Sequence, residues 1–279
     1  MKVRYALLAA ALALALTGCQ AEEPTGTAPV PPEPSPTAGV PLRTPPELPS
    51  PEELLERQPM DDTHDAFLVD TGGKLGTLLV TAEKGEQERD TVFGGYRTTL
   101  SVWDPRDMDG PIQTMDISVE DIAFGTHKVV DANFDGHMDF SCMYVMGNQP
   151  NYWYLWIWDE ETGQFVEVPE YAGISGPRCD PETEVIDGWA RNSGGGDGVT
   201  TFHRWEDGKL VCIRRIETWW EETDMVIPET EGTVFAYGIK VEDRIDGELT
   251  QVYYKELPPG EDFFDEQAKW EHLDYHGEN

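Results

Sequence analysis

The chain has 279 residues, with 54 Asp or Glu against 20 Lys or Arg, for a formal net charge of -34. That balance argues against nucleic acid and anionic lipid surfaces as partners and favours cations and basic proteins through long-range attraction. The length allows one sizeable domain plus appendages.

The first residues, MKVRYALLAAALALALTGCQ, combine Lys2 and Arg4 with an apolar stretch and then small residues before Cys19. This is the pattern of a secretory signal over 1–18. The apolar run is shorter than the roughly 18 residues a membrane span requires, and no later stretch approaches that length. LTGC, at Leu16 to Cys19, resembles the lipobox of bacterial lipoproteins, in which the cysteine is lipidated and becomes the first residue. The resemblance implies an extracytoplasmic protein on a bacterial membrane, at the cell surface or in the periplasm, with the lipid bilayer as its partner through Cys19. Stable anchoring takes about two lipid signals.

Residues 19–60 read as the lipidated cysteine and a disordered tether, since the segment holds over half of the 21 prolines and lacks the apolar content to fold. Proline-rich chain extends by roughly 3.1 Å per residue, so a ~40-residue tether reaches up to about 100 Å from the bilayer. Within it, PEELLERQ at 51–58 is a short helical pattern.

Residues 62–256 read as an all-β domain, an antiparallel meander that closes as a sandwich, a barrel or a propeller-like fold. Twelve candidate strands follow one another: AFLVD, KLGTLLVTAE, YRTTLSVWD, PIQTMDIS, DFSCMYVM, NYWYLWIWD, QFVEV, TEVIDGWAR, GVTTFHRWE, KLVCIRRIETWW, TVFAYGIKVE and ELTQVYYKEL. They alternate with period two and are separated by hairpin signals, among them EETG at 160–163, NSGGGDG at 192–198, EDG at 206–208 and DRIDG at 243–247. Residues 257–279 form an acidic tail with a helical pattern in EDFFDEQAKWEHL.

VVDANFDGHMDF, at 129–140, places oxygen-bearing side chains at the first, third, fifth and ninth loop positions: Asp131, Asn133, Asp135 and Asp139. Gly136 is sixth, and the seventh position supplies the His137 carbonyl. This is the first part of a loop that wraps calcium with oxygen ligands. An EF-hand ends in Glu at the twelfth position and continues into a helix, whereas Cys142 stands there and DFSCMYV alternates as a strand. The spacing therefore predicts a strand-loop-strand calcium site closed by Asp139, with the remaining ligands from water or elsewhere, Asp159 among them if the fold brings it near. An Asx-rich turn is the competing account. Other DG pairs, at Asp109, Asp207 and Asp246, lack the spaced ligands and read as plain turns.

The run RTTLSVWD, PIQTMDIS, VVDANFDGHMDF, YWYLWIWDEETGQFVEV and GKLVCIRRIE resembles bacterial lipoproteins with a β-domain similar to periplasmic lysozyme inhibitors. Some members of that group are immunity proteins against peptidoglycan-hydrolysing effectors. The similarity covers about 95–218 and implies a calcium loop at Asp131, Asn133, Asp135 and Asp139. It also implies an inhibitory role toward a basic protein such as a peptidoglycan hydrolase. The inhibitors use a Ser-Gly loop ending in an aromatic residue. Ser193-Gly194 matches its start, but GGDG follows in place of the aromatic.

In NYWYLWIWD, Trp153, Leu155 and Ile157 share one face, and Tyr152, Tyr154, Trp156 and Trp158 share the other. Such a strand either lies between two layers or offers an aromatic strip to a glycan or protein partner. Cys142, Cys179 and Cys212 allow at most one bridge among three pairings, or three reduced thiols. No motif marks a catalytic nucleophile or zinc site near His127, His137 or His203, so a non-enzymatic binding protein is expected.

Overall fold

The computed structural model describes residues 49–88, 95–147, 150–191, 197–223, 234–258 and 264–277. All of these residues belong to one compact unit, Glu47–Asn279. The signal peptide, Cys19 and Ser193-Gly194 lie outside the described residues.

Fourteen strands among these residues form three antiparallel sheets, each made of consecutive strands. The first contains β1 (His64–Asp70), β2 (Thr77–Gln87), β3 (Tyr96–Trp103) and β4 (Gln113–Val119). The second contains β5 (His127–Val130), β6 (Asp139–Met146), β7 (Asn151–Asp159) and β8 (Gln164–Glu167). The third contains β9 (Arg178–Asp180), β10 (Val185–Arg191), β11 (Gly198–Glu206), β12 (Lys209–Thr223), β13 (Val234–Ile245) and β14 (Glu248–Leu257). All twelve expected strands are present. β5 and β9 were not among them, being four and three residues long and too short to show an alternation.

Hydrophobic patterning sets the layers. In β3, Thr98, Leu100 and Val102 are buried while the residues between them are not, as expected for a strand with one face on the core. β6 is buried at five successive positions, Asp139 to Met143, because the second sheet lies between the other two. Phe140, Cys142, Trp156, Trp158 and Phe165 pack toward Phe67, Val80 and Leu100 of the first sheet. Met143, Trp153 and Leu155 pack the opposite way with Ile186 and Leu210 of the third. Phe140 stacks on Trp156 with centroids 5.0 Å apart and meets the Phe165 ring edge-on at 4.8 Å.

Turn chemistry fixes the hairpins. Asp207-Gly208 and Asp246-Gly247 are two-residue loops between the pairs Glu206 and Lys209 and Ile245 and Glu248. All four residues have positive φ, the requirement of a type I′ turn whose twist matches the flanking strands.

Both short helical patterns form, and both pack on the β-domain. α1 (Pro51–Glu56) has a reciprocal cap: Glu53 N–H donates to Ser50 Oγ and Ser50 N–H donates to Glu53 Oε2, each at 3.2 Å. Its Leu54 is buried against Ala66 and Leu79, so the last part of the expected tether is an ordered piece of the domain. One capped turn bearing leucine is enough to depart from the average composition of the proline-rich segment. α2 (Phe264–Glu271) belongs to the same domain, with Trp270 buried among Phe202, Ile216, Ile239 and Val241.

Arg214 of β12 latches this C-terminal segment. Only 2% exposed, it uses all five N–H donors: Nε and Nη2 donate to Asp243 at 2.6 and 2.8 Å, Nη1 donates to the carbonyls of Trp270 and His272, and Nη2 donates to that of Tyr275, each at 3.0 Å. The buried charge is thus both paired and fully hydrogen-bonded, the condition for tolerating it in a core.

The three cysteines are free. Cys179, Ile186, His203 and Cys212 form a row across β9, β10, β11 and β12, which separates the two outer thiols by three strand spacings, roughly 14 Å, well beyond disulfide reach. In the same row, burial drives the His203 imidazole down to about 4 from 6.5, partly opposed by a hydrogen bond with the Ile186 backbone.

Arg214→Ala is expected to cost about 3–5 kcal/mol in chemical denaturation, because Asp243 and three carbonyls lose their partner; a loss below about 1 kcal/mol would contradict the latch. For His203, the unfolded chain binds the extra proton between pH 6.5 and about 4, so its contribution to stability is lost as pH falls through that window, by at most about 1.4 kcal/mol per pH unit. His203→Gln should remove that slope. Stability curves for wild type and variant that run parallel from pH 7 to 4 would show that His203 is not the group responsible.

Candidate functional site

The loop Asp131 to His137 runs from β5 into β6. Its polar side chains hold its own backbone. Asp131 accepts from Asp135 N–H at 3.1 Å and Gly136 N–H at 2.9 Å, Asn133 Oδ1 accepts from Asp135 N–H at 3.3 Å, and Asp135 accepts from His137 N–H at 2.8 Å. Phe134 and Gly136 take positive φ, 61° and 90°, which folds the segment tightly enough to gather these oxygens. Glycine adopts that conformation freely, whereas phenylalanine there is strained.

The side chains of Asp131, Asn133 and Asp135 fit a hard cation in their chemistry, and the His137 carbonyl supplies a fourth oxygen of the same type. Among the described residues, no three His, Cys, Asp or Glu side chains converge as a metal cluster; an amide and a main-chain carbonyl are outside that set. Asp139, expected as the closing ligand, does something else. It is 0% exposed, and both oxygens take backbone donors, Oδ2 from Ala132 N–H and Oδ1 from Trp158 N–H, each at 2.8 Å. Burial raises this carboxyl to about 7 against the opposing pull of the two N–H groups, with Asp135 and Asp131 adding to the rise. Asp159 is spent on its own turn, accepting from Glu161 and Thr162 N–H.

Two further bonds extend the loop to the neighbouring sheets. The Trp205 indole N–H of β11 donates to the Ala132 carbonyl at 2.8 Å, and the His137 imidazole Nδ1 bonds the Thr71 carbonyl beyond β1. That bond, together with the nearby acidic groups of Asp135, Glu160 and Asp131, raises the His137 imidazole from its ordinary value. One loop of the second sheet thereby bonds the third sheet and the segment just after β1 of the first. Trp205 and Thr71 lie 73 and 66 residues away from their partners, and no local pattern announces either.

The aromatic strand resolves as a core strand. Trp156 is 1% and Trp158 3% exposed, so neither offers a ring face to a ligand, while Tyr154 is partly buried against the same core. Tyr154 stacks with Tyr144 at 4.3 Å, and Tyr152 tilts against the same ring at 6.2 Å. Both faces of β7 carry apolar residues because both meet a sheet.

An open groove of about 1180 Å³ lies instead on the third sheet, between β9, β10, β11 and the segment around α2. Asp187, Trp189 and Arg191 alternate along β10, with Phe202, Thr200 and Gly198 opposite them on β11. Arg178 of β9 holds Asp187 through Nε at 3.0 Å and through Nη2. Arg191 and Asp197, on either side of 192–196, line the groove. The alternation in VIDGWAR shows that these polar and aromatic residues share a face. It does not show that the third sheet leaves that face uncovered.

No family model matches the chain, and no curated protein matches it. Among solved structures it is similar to a Xanthomonas type IV secretion system related protein, at 14% identity and a TM-score of 0.42, over 67% of this chain and 93% of that one.

Asp139→Asn puts an amide NH₂ against one of the two backbone donors and should lower stability by about 1–3 kcal/mol in urea titration. A variant as stable as wild type would mean that the two short contacts do not hold the loop.

Proposed function

We propose that the protein is a lipid-anchored extracytoplasmic binding protein, not an enzyme, whose β-domain is stiffened by calcium and which captures a basic, wall-degrading enzyme and slows it. The charge balance is the observation that carries this reading. The chain bears -34 overall. An acidic surface of this kind speeds encounter with a cationic hydrolase and disfavours nucleic acid. The proposed anchor is Cys19, lipidated after signal cleavage, and the proline-rich segment gives the domain its reach.

In this reading Asp131, Asn133 and Asp135, with the His137 carbonyl, would hold the calcium, while Asp139 grips the backbone around it. Bound there, the ion supplies charge neutralisation to a loop whose carboxylates otherwise repel one another. The resemblance to lysozyme inhibitors supports the choice of partner, and the segment that holds Ser193-Gly194 is the expected point of approach.

Calcium should raise the melting temperature, and Asp131→Ala with Asp135→Ala should abolish the rise; a melting curve that chelator leaves unchanged would remove the ion from the account. Added to wall digestions by several lysozyme-type hydrolases, the protein should slow at least one in proportion to its concentration. Unaltered rates across the panel would overturn the inhibitory role.

A further inference from the structure

We infer that the open groove beside α2 on β9, β10 and β11 is a binding site for a neutral oligosaccharide, a function independent of hydrolase capture. The groove is about 1180 Å³, larger than the roughly 300–1,000 Å³ of common small-molecule pockets, which favours an oligomer over a single sugar. The ligand meets a sheet face, so side chains rather than free strand-edge backbone recognise it, and this distinguishes it from a peptide that would add as a strand.

Trp189 gives the site its platform. It is 37% exposed, unlike the buried tryptophans of β7, and lies on the face shared with Asp187 and Arg191. Opposite Arg191 on β11 the residue is Gly198, where a Cβ would lie 3.3 Å from Trp189 Nε1 and 2.6 Å from the Ala190 carbonyl oxygen. Lack of a side chain there leaves room for the indole across the strands. Arg191 sits with its guanidinium 5.4 Å from that ring centre. Phe264 of α2, 62% exposed, lines the same groove. The C–H-rich face of a pyranose ring packs on an indole of this kind without needing charge.

The polar groups narrow the ligand further. Carboxylates and guanidinium groups both line the groove, with Arg178 and Asp187 already joined. A strongly charged ligand would meet a like charge at neighbouring positions. Vicinal hydroxyls use both kinds of group, donating to carboxylates such as Asp180 and accepting from guanidinium groups such as Arg204, so a neutral polyol satisfies the mixture.

The full chain should be titrated calorimetrically with chitotetraose, cellotetraose and maltotetraose, with tetralysine and a sulfated oligosaccharide as charged comparisons. Saturable binding to at least one neutral oligosaccharide is expected, weakened about tenfold or more by Trp189→Ala, partly recovered in Trp189→Phe, and unchanged in Tyr254→Ala on β14. Failure of all three neutral ligands to bind, equal affinity in Trp189→Ala, or tighter binding of either charged comparison overturns the inference. None of these outcomes depends on inhibition of a hydrolase.

Discussion

A buried carboxylate organises this domain. Asp139 begins β6 in the middle sheet, and its two oxygens hold the Ala132 and Trp158 N–H groups at 2.8 Å. The first bond closes the acidic loop, and the second binds that loop to the central strand β7. Ala132 in turn offers its carbonyl to Trp205 of the third sheet, while His137 reaches Thr71 beside the first. Hydrophobic packing supplies most of the gain on folding, but it is non-directional. These polar bonds fix how the three sheets meet at the loop, and their burial makes each one costly to leave unmade.

The same logic recurs at the opposite side of the third sheet. Arg214 carries a full charge into an apolar setting beside Trp270, and is accommodated because every donor is used. Three of its five bonds go to carbonyls in the last turn of α2 and just after it, a place where a helix leaves acceptors without intrahelical donors. The tail is therefore integral to the domain, and the groove on β9 to β11 lies beside it.

Much of the fold was legible in the sequence. Period-two alternation located the longer strands, and DG pairs marked the tight hairpins at Asp207 and Asp246. Apolar residues on both faces of NYWYLWIWD correctly allowed for a strand between two layers. β5 and β9 were too short for their sequence to show a period, and the contribution of Leu54 was hidden by the surrounding prolines.

The site was legible in outline only. Ligand spacing at Asp131, Asn133 and Asp135 identifies a loop with converging oxygens, but spacing cannot tell whether a carboxylate points at an ion or at its own backbone. Asp139 is the instructive case: its place in the motif suggests a ligand, while its burial makes it a brace. Trp205 and Thr71 were out of reach because their bonds join segments distant in sequence. Trp189 was overlooked beside the denser aromatic cluster of β7, although solvent exposure, which sequence does not report, is what distinguishes it.

Amide hydrogen exchange on the full chain, with calcium and with chelator, tests the proposal that a cation bound by the acidic loop tightens the coupling of the sheets. Slower exchange with calcium is predicted at Ala132, Asp135 and Gly136 within the loop and at Trp158, and also around Thr71 beside the first sheet and Trp205 in the third. Exchange unaffected by calcium, or protection confined to the loop itself, would contradict the account.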